Sequence, residues 1–336
     1  MATLSIDLFG KTLRNPVMNG SGTLGYGREI EPLWPIDTLG AYVTKGLSLK
    51  PHHGNPPPRV WEEGRGMLNS IGLQNVGLER FFAEHFPLFK ERNTPIVINF
   101  FGFTDEEYIE CAASIEPDPL IIALEINLSC PNVTKGGICM GKEAQGVFSI
   151  IKRVKEITLI PVIAKLTPEV ADIVEIARAA VSAGADGITL INTMPGAAID
   201  FRTLVRGNLS SEHGEREGEA PTGFPVEGAT RAPVMDMQTK RMAFRGGLSG
   251  PPLKPIALKA VADVSRAVTV PVIGAGGIMN HEDAIQFLMA GARAIQVGTA
   301  TFVDPFAIPK ILAGLATYMD EHGLSRLSTL VGAAYA

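Results

Sequence analysis

The hexapeptide NLSCPN at 127–132 carries the residue types for taking a proton from a polar ring. Cys130 is the candidate base: a free thiol titrates near pH ~8.5, and nearby lysines favour its thiolate. Asn127 and Asn132 flank it with amides that donate and accept together. The commoner fate of a lone cysteine is inert burial. The adjoining Pro131 and the glycine-containing loop at 133–137 argue against a core position. Cys139 in that region has no evident role, and Cys111 lies in a helical stretch where packing explains it.

Other chemistry-bearing residues gather where short apolar runs end. Lys45 and Lys165 follow two such runs, and a buried lysine needs a negative partner or a lowered pKa. A bound flavin anion, a salt bridge to a neighbouring carboxylate, or Schiff-base use of Lys165 would each answer that need. Asn69, Asn127, Asn132 and Asn192 suit a planar ring with alternating N–H and C=O groups, such as a pyrimidine. GAGG at 274–277 and Gly298-Thr299 offer bare backbone N–H groups for a phosphate. The same glycines would also serve simple tight turns.

The elements needed to position these residues are legible. Apolar runs at 16–19, 41–44, 95–99, 123–126, 161–165, 187–191, 271–274 and 294–297 read as buried parallel strands. Helical patterns follow most of them. Thr167 before Pro168 reads as an N-cap, with an apolar face through Val170, Ile173, Val174, Ala177 and Val181 and a stop at Gly184. Asn280 caps a later helix that buries Ala284, Phe287 and Leu288 and ends at Gly291. The alternation predicts α/β architecture, a (β/α)8 TIM barrel whose functional residues share the C-terminal mouth. From about 202 to 245 neither a strand nor a helix period is visible, so a long insertion follows strand six.

With 336 residues, 46% of them hydrophobic, the chain can bury a large core. A net charge of −5 gives no electrostatic case for nucleic acid. No apolar run spans a bilayer, and no signal peptide opens the chain. Three scattered cysteines make no disulfide framework, which points to a cytoplasmic protein. The histidines form no ligand pair at helical spacing, so no protein-held metal is expected, and they read as surface or loop residues.

A family resemblance rests on NGSGTLGYG at 19–27, VTKGLSLK at 43–50, NSIGLQN at 69–75, NLSCPN at 127–132, AKLTP at 164–168, LINT at 190–193, GGLSGP at 246–251, GAGGI at 274–278 and VGTA at 297–300. In this order the motifs resemble the class 1 dihydroorotate dehydrogenases over nearly the whole chain outside the insertion. The resemblance implies one FMN-binding barrel domain over 1–336, oxidising dihydroorotate to orotate in pyrimidine synthesis. Cys130 would take the C5 proton while a hydride leaves C6 for flavin N5. Lys45, Asn69, Ser70, Ile71, Gly72, Leu73, Asn127, Asn132, Asn192 and Thr193 would line the substrate pocket. Ser21, Lys45, Gly46, Asn99, Asn127, Lys165, Ile191, Gly250, Gly276, Gly277, Gly298 and Thr299 would hold FMN.

Cysteine at the base position separates this chain from the membrane-bound class, which resembles it but uses serine. GSGTLGYG is similar to the subclass that passes electrons to NAD through a separate iron–sulfur flavoprotein subunit. That subunit, a second copy of the chain in a homodimer, and dihydroorotate or orotate are the implied partners. The departure is the insertion at 202–240, bracketed by two related stretches, AIDFRT at 198–203 and VMDMQTKR at 234–241, either of which could be the family's equivalent segment. The insertion would close over the site, bind a partner, or form a solvated loop. Readings that stay open beside the first are a related flavin barrel acting on another reduced pyrimidine or enone, a Schiff-base lyase using Lys165, and a non-enzymatic scaffold.

Overall fold

The protein is described by a computed structural model covering residues 3–128, 134–135, 138–199 and 243–335. Cys130, Asn132 and the expected insertion at 202–240 lie outside the described residues.

Eight strands build the centre: β1 (Val17–Asn19), β2 (Tyr42–Val43), β3 (Ile96–Phe100), β4 (Ile121–Asn127), β5 (Val162–Lys165), β6 (Gly187–Leu190), β7 (Val272–Ala275) and β8 (Ala294–Val297). Their order in the sheet is β1-β8-β7-β6-β5-β4-β3-β2, and every pairing is parallel. A parallel bridge between Met18 and Ala41 brings β1 back to β2 and closes the barrel. The eight apolar runs in the sequence are these strands, because a strand covered on both faces has no polar side to show.

The closing seam is made partly by a side chain. β1 and β2 are short, and Asn19 stands in for missing ladder bonds. Its Nδ2 donates to the Val43 carbonyl at 2.8 Å, and its Oδ1 accepts from the Val43 N–H at 2.8 Å.

Helices cover the outside by apolar stripes at helical spacing. Ala144–Lys155 buries Val147, Ile150, Ile151 and Val154, positions i, i+3, i+4 and i+7 of one face. His281–Met289 is capped by Asn280, whose side chain accepts from the Asp283 N–H, and it buries Ala284, Phe287 and Leu288 as its sequence predicts. The helix after β5 corrects the sequence reading. It runs Ile173–Ser182, and Asp172 caps it by accepting from Val174 and Glu175. Thr167 instead accepts from the Glu169 N–H within the preceding loop. A carboxylate one residue before the periodic stretch wins over a hydroxyl farther upstream, since an N-cap serves the N–H groups two and three residues beyond it.

A four-stranded antiparallel sheet is absent from the sequence reading. It pairs Met194–Ile199 with Ala243–Ser249, then Gly66–Asn69, then Val60–Glu63. The expectation of no strand up to 245 is therefore corrected at its end, where the last strand begins at Ala243. Leu68, Ala198 and Phe244 form its own small core, with Trp61 and Leu248 against it. These strands carry glycine, proline and paired glutamates, which conceal a period of two. Their sheet joins the excursion after β2 to the one after β6, and so brings Asn69 against Gly247.

His85 also departs from the expectation of a surface or loop histidine. It closes the helical segment Phe81–His85 and stacks on Tyr26 with ring centroids 4.3 Å apart.

Candidate active site

The polar strand ends meet inside and above one end of the barrel. Glu125 lies in the middle of β4 and is fully buried. One carboxylate oxygen accepts from Asn99 Nδ2 of β3 at 2.7 Å and faces Lys165 Nζ of β5 at 3.5 Å. The other accepts from Thr189 Oγ1 of β6 at 2.7 Å and from Gln296 Nε2 of β8 at 2.6 Å. Gln296 Oε1 accepts from Lys165 Nζ at 3.0 Å. Strands β4 and β8 are not neighbours in the sheet, so these bonds cross the barrel interior. Lys165 is thus held by a barrel carboxylate, one of the roles its sequence position allows, and this pairing speaks against Schiff-base use of its amine.

Asn99 is the one member of this network with an idle atom. Its Nδ2 serves Glu125, while its buried Oδ1 has no hydrogen-bond partner among the described residues. Buried polar atoms are almost always satisfied, so an orphan acceptor marks a place for a ligand donor. Gly46 lies over it: a Cβ at Gly46 would sit 3.0 Å from Asn99 Oδ1. Thr44 fixes the backbone beneath, its Oγ1 accepting from the Asn99 N–H at 2.8 Å. Ser21 donates to the Thr44 carbonyl at 2.9 Å, which ties the loop after β1 to the same corner.

Three turns converge at the ends of β7 and β8. Gly276 and Gly277 have φ of +119° and +79°. A Cβ on Gly277 would lie 2.7 Å from the Lys254 N and 2.9 Å from the Gly250 carbonyl oxygen. Gly250, at φ +89°, stands against Thr299, whose Oγ1 is 2.8 Å from Ser249 Oγ. Gly298 lies beside Gly20 at the start of the loop after β1. The result is a cradle of backbone next to helix starts, fit for a phosphate. Ile191, joined to Leu190 by a cis peptide, packs beside Gly276.

The amides line the mouth from the other side. Asn192 Nδ2 donates to Asn127 Oδ1 at 3.2 Å, and Asn192 Oδ1 accepts from the Thr193 N–H at 2.8 Å. Asn69 Nδ2 donates to the Gly247 carbonyl at 3.2 Å, and Thr193 crowds the α-carbon of that same Gly247. Residues Ser70, Ile71, Gly72 and Leu73 form a fixed loop. Asn55 donates to the Ser70 and Ile71 carbonyls, and Gly72 and Leu73 both take positive φ. Lys45 is half-buried and packs near Gly22. Burial, with Arg59 adding repulsion, holds its pKa below the ordinary lysine value, against a weaker opposite pull from Glu29.

The comparisons with known proteins bear on this arrangement. The family model described as Dihydroorotate dehydrogenase matches residues 3–214 and 226–319. This chain belongs to the dihydroorotate dehydrogenase family. Proteins named "Dihydroorotate dehydrogenase B (NAD(+)), catalytic subunit" are similar over 98% of the chain. That of Pelobacter propionicus is 46% identical, with 98% of its own length covered. Those of Geotalea uraniireducens and Geobacter sulfurreducens are 44% and 46% identical, each with 97% covered. Residues 215–225, inside the expected insertion, fall between the two matched stretches.

Of the residues the sequence nominated, Asn99 and Lys165 meet through Glu125, Asn127 meets Asn192, and Asn69 and Thr193 meet at Gly247; the structure adds three the sequence reading missed. Glu125, Thr189 and Gln296 were passed over as parts of apolar strands. The signal was present: a carboxylate inside IIALEIN and an amide inside AIQV are out of place in a core unless paired. Cys111 is buried in the helix Asp105–Ala113, with its thiol pushed up to about 12 by burial, and takes no part. Among the described residues no three His, Cys, Asp or Glu side chains gather to hold a metal ion, and no helix is long and apolar enough to cross a membrane.

Proposed function

We propose that this chain is the catalytic subunit of a NAD-linked dihydroorotate dehydrogenase, oxidising (S)-dihydroorotate to orotate in pyrimidine biosynthesis. The observation that carries the reading is the pairing, in one barrel mouth, of an unpartnered amide oxygen and a lysine with a glycine phosphate cradle. That combination fits FMN, whose isoalloxazine offers a ring N–H donor and electron-rich acceptors and whose tail ends in phosphate. The names of the relatives support the same substrate. We read the chain as one FMN-binding barrel domain working in the cytoplasm as a homodimer, with 202–240 a loop within it.

When bound, FMN supplies the hydride acceptor. Asn99, Lys165 and Gly46 would hold its ring, with Ser21, Lys45, Asn127 and Ile191 around it. Gly250, Gly276, Gly277, Gly298 and Thr299 would hold its phosphate. The substrate amides and carbonyls match Asn69, Asn127, Asn132, Asn192 and Thr193, with the loop at 70–73 closing one side. Cys130 would be the base that takes the C5 proton. The electrons then pass to NAD through a separate iron–sulfur flavoprotein subunit, in keeping with the words "catalytic subunit" in the relatives' names.

The purified protein should absorb near ~450 nm as a flavoprotein, and anaerobic dihydroorotate should bleach that band. Cys130→Ser should keep the flavin and lose most of the bleaching rate at neutral pH, because a serine hydroxyl is a far weaker base. A protein that takes up no FMN, or whose flavin dihydroorotate leaves oxidised, sinks the proposal.

A further inference from the structure

We propose that Glu125 is a positioning residue that sets the hydrogen-bond polarity and the electrostatics of the cofactor site. This rests on the FMN reading above. The carboxylate draws donors from four other strands of the barrel, Asn99, Lys165, Thr189 and Gln296. An ionised carboxylate can only accept. Each amide that meets it must therefore turn its NH2 inward and its oxygen away.

That rule fixes both amides. Asn99 presents its Nδ2 to Glu125 and is left with Oδ1 as a bare acceptor beside Gly46. Gln296 presents its Nε2 to Glu125 and turns its Oε1 to Lys165. Lys165 is then anchored through two of its three N–H donors, with one left for a ligand. A neutral side chain at 125 would remove the constraint. Gln at that position has one acceptor and one donor end, and either neighbouring amide could flip to match it.

Charge follows the same logic. Glu125 is 0% exposed and Lys165 is 7% exposed, so water screens neither well. The carboxylate offsets the lysine charge that would otherwise act undiluted on an electron-rich ligand. Glu125 touches no ligand position itself, and it acts through Asn99 and Lys165. In this view it keeps the lysine from over-stabilising a reduced, anionic flavin.

The test uses the full-length protein, stripped of FMN and reloaded, with two variants. In Glu125→Gln the midpoint potential of the bound flavin should rise, by on the order of tenfold in the reduced-to-oxidised ratio, about 30 mV for a two-electron couple. Glu125→Asp keeps the charge but draws the carboxylate back from Asn99. Its potential should stay near that of the wild type, while FMN affinity, read by fluorescence titration, falls about tenfold, as for one lost hydrogen bond. A Glu125→Gln potential equal to or below that of the wild type overturns the electrostatic role. A Glu125→Asp affinity equal to that of the wild type overturns the positioning role, and this arm stands even where Glu125→Gln fails to fold. A wild-type chain that binds no FMN overturns the flavin reading and this one together. A wild type that binds, with both variants unchanged, overturns this one alone.

Discussion

Replacing Asn19 by alanine tests the idea that a side chain closes this barrel. Asn19 is 0% exposed. Its amide makes three bonds, from Nδ2 to the Val43 and Gly20 carbonyls and from the Val43 N–H to Oδ1. The Gly20 carbonyl keeps the Thr23 N–H and hydroxyl as donors and loses little. The Val43 N–H and carbonyl face β1 and are left bare. Each orphaned buried group costs about 1–3 kcal/mol, so Asn19→Ala should lose roughly 2–6 kcal/mol. That is a large share of a typical stability of about 5–15 kcal/mol. The melting midpoint should fall by about 3–8 °C, from an unfolding entropy of about 2 cal/mol/K per residue. Urea unfolding followed by circular dichroism measures the loss, and Ser21→Ala is the control. Ser21 makes a single half-buried bond to the Thr44 carbonyl in the same corner, and its loss should cost only about 0.5–1.5 kcal/mol. If Asn19→Ala costs no more than Ser21→Ala, the seam is not held by this amide.

Three further outcomes are expected. Burial lowers the Lys45 pKa from its usual 10.5, so the unfolded chain binds that proton more tightly and the charge costs stability at neutral pH. Lys45→Met should therefore stabilise the apoprotein at neutral pH and slow dihydroorotate turnover. The gain should shrink as pH rises through the folded pKa toward the unfolded one, and a gain that does not vary with pH in denaturant titrations refutes the charge argument. Gly277→Ala forces a Cβ into left-handed backbone 2.7 Å from the Lys254 nitrogen, and FMN affinity should drop at least about tenfold by fluorescence titration, with unchanged affinity removing this turn from the cradle. The Cys111 thiol, pushed up to about 12 by burial, should resist iodoacetamide at mildly alkaline pH until the protein is unfolded, as peptide mass spectrometry would show.

The site was more legible than its supports. Lys45, Asn99, Asn127, Lys165 and the glycines at 276, 277 and 298 stand at strand ends, where a polar residue or bare backbone after an apolar run has few structural uses. Glu125, Thr189 and Gln296 stand inside strands, and their partners lie 26 to 171 positions away. No local window joins them. The cap at Asp172 was lost to a rival signal, a threonine before a proline, and only the start of the helical hydrogen bonds decides between the two.

By itself the sequence determined the eight strands, their order along the chain, the family, and which polar residues and glycines stand at the strand ends. Those follow from local facts: continuous apolar runs, glycine turns, and motifs that stay together in the chain. The tertiary structure alone decided how the barrel closes through Asn19, and how an antiparallel sheet carries Asn69 to Gly247. It also decided that one carboxylate gathers four strands beneath the mouth. Each of these is a contact between residues far apart in sequence. Their pairing is fixed by closing the sheet on itself, which leaves inward-facing polar groups no partners except one another.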